Sequence, residues 1–192
     1  PPDALRALGL ERLHEDVCVE TVPDELERYC AGLPSLWAAV HCVGAFAAGS
    51  VFDVALDDVR RLFEANFFSA LAVSRAAARR MRHDGSGGRI VHVAARAGLE
   101  PRAAAGMAPY AASKAALIAM TEALGEELAG EGILVSAVAP SLMDTPGNRA
   151  AMPGADTSRW PRTEEVAETI AWLASPANTL VRSAVVPVYG RA

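Results

Sequence analysis

The sequence predicts a single α/β domain with a mostly parallel sheet, and three observations carry that reading. Short apolar runs alternate with helical periodicities along the chain, as expected of strands joined by crossover helices. Two of these runs, Leu36 to Val43 and Ile133 to Val138, are continuously apolar, which suits a strand covered on both faces. The length, 192 residues, suffices for one full core without disulfide or metal staples. No repeat, linker or low-complexity tract divides 1–192.

Taken in order, Pro1 to Leu10 reads as the tail of a helix and His14 to Val19 as a weak strand. Pro23 to Gly32 predicts a short acidic helix, with proline near its first turn and glycine past its end. The apolar strand Leu36–Val43 leads into a Gly/Ala loop, Gly44 to Ser50. From Leu56 to Met81 the positions Leu56, Val59, Phe63, Phe67, Ala70, Ser74, Ala78 and Met81 recur every three or four residues. That spacing predicts one long helix. The turn Asp84 to Gly88 stops it and feeds a strand, Arg89 to Ala94. Pro109 starts a helix to about Leu128, with Leu117, Thr121, Leu124 and Leu128 on one stripe and Gly130 and Gly132 beyond its end. Ile133–Val138 is the next strand, Leu142 to Trp160 is irregular, Thr163 opens a helix to Ala174, and Val185 to Val188 is the last strand. Trp160 and Trp172 are read as packing residues.

Composition narrows the function. Against 18 Lys+Arg stand 23 Asp+Glu, a net charge of −5 spread along the chain, which argues against nucleic acid or an anionic membrane as partner. Aromatic residues make up 6%, too few for a base-stacking platform. No apolar stretch reaches the roughly 18 residues of a membrane-spanning helix, and no signal-peptide pattern opens the chain. Cys18, Cys30 and Cys42 are odd in number and lack a C-x-x-C pair, which predicts free thiols in a reducing cytoplasm. With His14 and His41 they match no zinc spacing, so no metal site is expected.

The chemistry concentrates between Asn66 and Thr145. Tyr110-Ala-Ala-Ser-Lys114 puts a phenol and an ammonium four residues apart on a predicted helix, where the two share a face. A free phenol titrates near ~10, and a neighbouring ammonium favours its ionised form, moving it toward useful acid/base work. Y-x-x-x-K alone is a weak pattern, equally met on any helix surface. Its context strengthens it: Lys114 is the chain's one lysine beside 17 arginines, and arginine cannot replace a compact ammonium. The following strand runs into Pro140-Ser-Leu-Met-Asp-Thr145-Pro146, at the carboxyl edge where α/β sheets bind ligands.

From about Asp16 to Gly190 the chain resembles the short-chain dehydrogenase/reductase family. The resemblance rests on Asn66, the Gly88-Arg-Ile-Val strand, Tyr110-x-x-x-Lys114, the Pro140–Pro146 turn and the ending Pro187-Val-Tyr-Gly190. It implies a Rossmann-like, doubly wound parallel sheet and hydride transfer between NAD or NADP and a carbonyl or alcohol. By the same resemblance Tyr110 is the acid/base, Lys114 binds the nicotinamide ribose and lowers the phenol's pKa, and Asn66 holds a water in the proton relay. Tyr110, Lys114, Gly44, Pro140 and Thr145 are the implied cofactor contacts, and family members pair through helices that correspond to 56–81 and 110–128, so a homo-oligomer is implied.

The departures from the family pattern matter as much. The serine that orients the substrate carbonyl is replaced by Ala95, and losing one such donor costs on the order of 10²–10³ in rate. The family's N-A-G reads Cys42-Val43-Gly44, its P-G reads Pro140-Ser141, and a glycine before the last strand is Ser183. His92 stands where asparagine is usual and is read as a satisfied strand histidine. No Gly-rich turn precedes the first strand, so the resemblance implies a sheet shortened at its N-terminal edge by about one βαβ unit, ~30 residues. The chain opens at Pro1 rather than Met, which suggests trimming or an origin inside a longer product. Such a sheet would leave Leu36–Val43 as an apolar edge, to be covered by His14–Val19 or by another chain. The leading function is therefore a short-chain oxidoreductase. The alternative is a silent or repurposed relative: a lyase, an isomerase or a scaffold subunit of a hetero-oligomer.

Overall fold

A computed structural model describes residues 22–191. The readings at Pro1–Leu10 and His14–Val19, and Cys18 with them, lie outside those residues. Four parallel strands, β1 (Ala38–His41), β2 (Gly88–Val93), β3 (Ile133–Pro140) and β4 (Ala184–Val188), pair in chain order. In register, His41 lies beside His92, His92 beside Ala137, and Ala137 beside Val185. Every connection is a crossover, as parallel pairing demands.

The helices are α1 (Val22–Gly32), α2 (Leu56–Phe63), α3 (Ser69–Asp84), the single turn α4 (Arg96–Leu99), α5 (Ala108–Glu127), α6 (Pro146–Ala151) and α7 (Thr163–Ala174). None among the described residues is long and apolar enough to cross a membrane. On one side of the sheet, α3 and α5 pack Ala77, Met81 and Leu128 onto Ile90, Ile133 and Val135. Nearer the carboxyl end Ala70, Leu117 and Ile118 meet Ala94, Ala137 and Ala139. On the other side α7 sets Val166 and Leu173 against Val91 and Val138. The sheet is therefore covered on both faces, as its continuous apolar runs require.

Several predicted boundaries move. β1 is half the length of the apolar run that predicts it, and Val40 and Val43 are exposed at 40% and 39%. β3 extends two residues further, to Pro140. Trp172 packs only in part, being 47% exposed on α7, and Trp37 donates its indole N–H to the Ala174 carbonyl at 3.0 Å. The long helix runs past Met81 to Asp84, and it is not uniform. Glu64–Phe68 forms a π-turn between α2 and α3, in which the Ser69 N–H bonds the Glu64 carbonyl. Spacings of three and four cannot distinguish that widened turn from an α-helix, and such turns collect at functional sites.

Ser183 sits where the resemblance expects glycine, and the backbone still has the glycine conformation. Its φ is 54°, the one positive value for a non-glycine among the described residues, costing roughly 1–2 kcal/mol. Its N–H is tied to the Val135 carbonyl at 2.8 Å. A Cβ on Gly125 would lie 2.7 Å from the Ser183 nitrogen, so α5 approaches this corner too closely for any side chain there.

Candidate active site

The carboxyl end of the sheet gathers the predicted residues. Lys114, on the inward face of α5, is 5% exposed, and its Nζ donates to the Val93 carbonyl at the end of β2, at 2.9 Å. The lysine thus reaches across from helix to strand end. Burial pulls its pKa from 10.5 down to about 8.

Asn66, in the π-turn, is fully buried. Its Nδ2 donates to the Ala45 carbonyl at 3.0 Å and to Ser113 Oγ at 2.9 Å, while its Oδ1 accepts from the Ala45 N–H at 2.9 Å. The side chain therefore clamps the loop after β1. Gly44 explains itself by the same contact: a Cβ there would lie 2.8 Å from Asn66 Oδ1 and 3.2 Å from Lys114 Nζ. Sequence reasoning missed Ser113 as part of the site. It is fully buried and its hydroxyl, donating to the Tyr110 carbonyl at 2.8 Å, accepts from Asn66. Its adjacency to Lys114 in the Tyr-Ala-Ala-Ser-Lys run was the available signal.

Tyr110 is half-buried one helical turn before Lys114, with the Phe46 ring edge-on at a centroid distance of 5.0 Å. Burial pushes its phenol above the ordinary value of 10.0. The lowering expected from Lys114 is not seen, and the apolar surrounding penalises the phenolate. Ala95, buried in extended backbone just before α4, places no hydroxyl at the serine's station. Pro140 ends β3, and Thr145 is committed as the N-cap of α6, its Oγ1 accepting from the Asn148 N–H at 3.1 Å. Ser141, in place of a family glycine, donates its hydroxyl to the Tyr189 carbonyl at 2.9 Å and so joins the loops after β3 and β4.

Behind these groups lies a buried polar layer. His92 Nε2 is 2.8 Å from Ser74 Oγ and its Nδ1 2.8 Å from Thr121 Oγ1, so strand histidine is the right reading and both nitrogens are satisfied. His41, 6.3 Å from it between ring centroids, meets Ser69 Oγ at 2.9 Å. Burial lowers His41 to about 4 and His92 to about 3, leaving both rings neutral at pH 7. There are two surface hollows, one at Glu27, Arg79 and His83, the other between 101–106 and α5.

The donor set fits the nicotinamide-ribose half of a dinucleotide: an ammonium with hydrogens to spare and a phenol, at the carboxyl edge of a parallel sheet. No glycine-rich turn for the pyrophosphate stands among the described residues.

Comparison with known proteins identifies the family. The family model described as short chain dehydrogenase matches residues 16–156. A cyclic-di-GMP-binding biofilm dispersal mediator protein of Escherichia coli is 36% identical over 77% of this chain and 63% of its own length. The sorbitol dehydrogenase of Cereibacter sphaeroides is 32% identical over 62% of this chain and 47% of its own. The chain therefore spans less than two thirds of these relatives. Among solved structures, an acetoin dehydrogenase from Enterobacter cloacae superposes with a TM-score of 0.85 at 30% identity, covering 98% of this chain and 78% of that one. A Beutenbergia cavernae protein of the gluconate 5-dehydrogenase type, with NADP bound at low occupancy, gives a TM-score of 0.87 at 27% identity, covering 98% and 79%. With a family model matching 16–156, the chain belongs to the short-chain dehydrogenase family.

Proposed function

We propose that this chain carries the proton-transfer half of a nicotinamide-dependent oxidoreductase acting on a small carbonyl or alcohol. The observation that carries the proposal is the Tyr110–Lys114 pair on α5, its lysine fixed against the end of β2 at 2.9 Å. Tyr110, Lys114, Gly44 and Pro140 would line the nicotinamide ribose, and NAD or NADP supplies the hydride when bound. A phenol raised by burial is protonated at neutral pH, so Tyr110 is poised to donate to the oxygen of a carbonyl as negative charge develops there. In carbonyl reduction it is the proton donor, and in the reverse direction the phenolate is the acceptor. Lys114, still cationic below about 8, lowers the cost of leaving a phenolate behind. Asn66 and Ser113 hold the loop that brings Gly44 against the lysine. Ala95 contributes no hydrogen bond to the reacting oxygen, which predicts a slow enzyme. Association of copies through the 56–81 and 110–128 helices is part of the reading, supported on the first by exposed Leu56, Phe68 and Leu71.

The test is titration of the protein with NADPH and NADH, followed by nicotinamide fluorescence and then by turnover across a panel of small ketones. Binding and slow turnover are expected, with Tyr110→Phe losing on the order of 10²–10⁴ in kcat. Ala95→Ser is expected to gain on the order of 10-fold or more. Absence of binding at millimolar cofactor overturns the reading, and binding without turnover in both the parent and Ala95→Ser marks a silent member.

A further inference from the structure

His41, at the end of β1, is 2% exposed, and its two nitrogens are in unequal positions. Nε2 lies 2.9 Å from Ser69 Oγ, and that hydroxyl donates to the Ala65 carbonyl at 2.7 Å. A carbonyl only accepts, so with the Ser69 proton on Ala65 the hydroxyl accepts from the ring. In that tautomer Nε2 bears the hydrogen. Nδ1 is left as a bare lone pair, buried and without a hydrogen-bond partner, a condition that folded proteins avoid.

The donors around it can be counted. His92, its register partner on β2, spends both nitrogens on Ser74 and Thr121. Asn66 spends both amide hydrogens on Ala45 and Ser113. Lys114 has three hydrogens and gives one to Val93, the residue after His92. A Cβ on Gly44, three residues beyond His41, would be 3.2 Å from the same Nζ. We propose that Lys114 supplies the donor that His41 Nδ1 lacks, through one bridging water, so that His41 is a positioning residue for the lysine. A neutral ring suits this, and burial keeps His41 neutral down to about pH 4. The titratable groups near the ring are Lys114, which opposes its protonation, and His92, whose own protonation is opposed by His41.

The bridge concerns the lysine's own proton equilibrium and is independent of the redox reading. Because Lys114 is the chain's single lysine, ¹³C,¹⁵N-lysine labelling gives one side-chain ammonium signal to follow against pH. In folded His41→Phe the titration midpoint should fall by about one unit, since the ammonium loses an acceptor while staying buried. His41→Asn, which keeps a short acceptor, should recover most of that shift. In the parent protein, ¹⁵N shifts of His41 should show protonated Nε2 and bare Nδ1. An unmoved midpoint in folded His41→Phe overturns the proposal. So does a parent ring protonated at Nδ1, which decides the matter even if the variant fails to fold.

Discussion

On the α7 side of the sheet, Val91, Val93 and Val138 meet Val166, Ile170 and Leu173, and contact there needs no direction. On the α3–α5 side the strands begin with Ile90 and Val135, and toward the carboxyl end His41 and His92 enter beside the apolar cluster of Ala94, Ala137 and Ala139. The two histidines are joined by Ser69, Ser74, Asn66, Ser113, Thr121 and Lys114, all buried. One face removes apolar area from water at about 25 cal/mol per Å². The other aligns hydrogen bonds whose net worth is about 1 kcal/mol each and which are costly when one fails. The difference teaches that stability comes from the α7 face and the apolar clusters of the other, while the polar layer fixes where Lys114 and the loop at Gly44 sit.

The sharpest way to break this comparison is acid. His41 and His92 fold with pKa values of about 4 and about 3, below the unfolded value of ~6.5. Below ~6.5 the unfolded chain binds more protons than the folded one, so the stability present above that pH is lost as pH falls toward the folded values. At about 1.4 kcal/mol per unit and ring, the loss by pH 4 is several kcal/mol, a large part of an ordinary domain's 5–15. Circular dichroism should show acid unfolding setting in between about pH 5 and 4. Stability that stays flat from pH 6.5 to 4.5 would mean the rings are not buried neutral.

On the apolar face the expected effect comes next in size and ignores pH. Leu173 is 1% exposed, and Leu173→Ala should cost about 2–5 kcal/mol in urea unfolding, equally at pH 8 and pH 6.

Lys114 sharpens the contrast from the other side. Its folded pKa of about 8 lies below its free value of 10.5, so the fold disfavours its charge. That cost is fully present below pH 8 and relaxes as pH rises toward 10.5. Lys114→Met should therefore stabilise the chain at pH 7, by up to about 3 kcal/mol, while removing activity. A buried charge that opposes folding and persists is the kind of stability sacrifice that functional sites make. Equal or lower stability in Lys114→Met would show that the lysine's hydrogen bonds outweigh its burial.

What the sequence could disclose follows the same division. Continuous apolar runs announce strands β1 and β3 because hydrophobic burial leaves its mark residue by residue. Tyr110 and Lys114 were legible because an i, i+4 spacing is itself geometry, and Asn66 through the family resemblance alone. The polar layer was hidden: Ser74 and Thr121 fall on the inward stripes of their helices and read as small core residues. Their hydroxyls in fact face His92, and only the packed structure brings those three together. The lowered phenol was the wrong expectation for a related reason. Spacing shows that an ammonium is near, but the apolar surroundings that Phe46 and the buried helix face supply come from elements distant in sequence.

The smallest effect tests the comparison most finely. Ser74 Oγ is 2.7 Å from the Ala70 carbonyl and Thr121 Oγ1 2.7 Å from the Leu117 carbonyl, yet both hydroxyls also touch His92. If both protons went to the carbonyls, His92 would need two N–H donors, and a neutral ring has one. One hydroxyl must therefore turn its proton to the ring, leaving its carbonyl to the helix N–H alone. Removing one member strands a ring nitrogen: Ser74→Ala or Thr121→Val should each cost about 1–3 kcal/mol. Removing all three at once strands nothing. The combination of His92→Leu, Ser74→Ala and Thr121→Val should fall within about 1 kcal/mol of the parent at pH 7, and far above the sum of the single changes. It should also lose the share of acid sensitivity that His92 carries. Such non-additivity is measurable by denaturation of the single and combined variants. Additive losses would mean that the polar layer contributes to stability as the α7 face does, and the division of labour between the two faces would have to be given up.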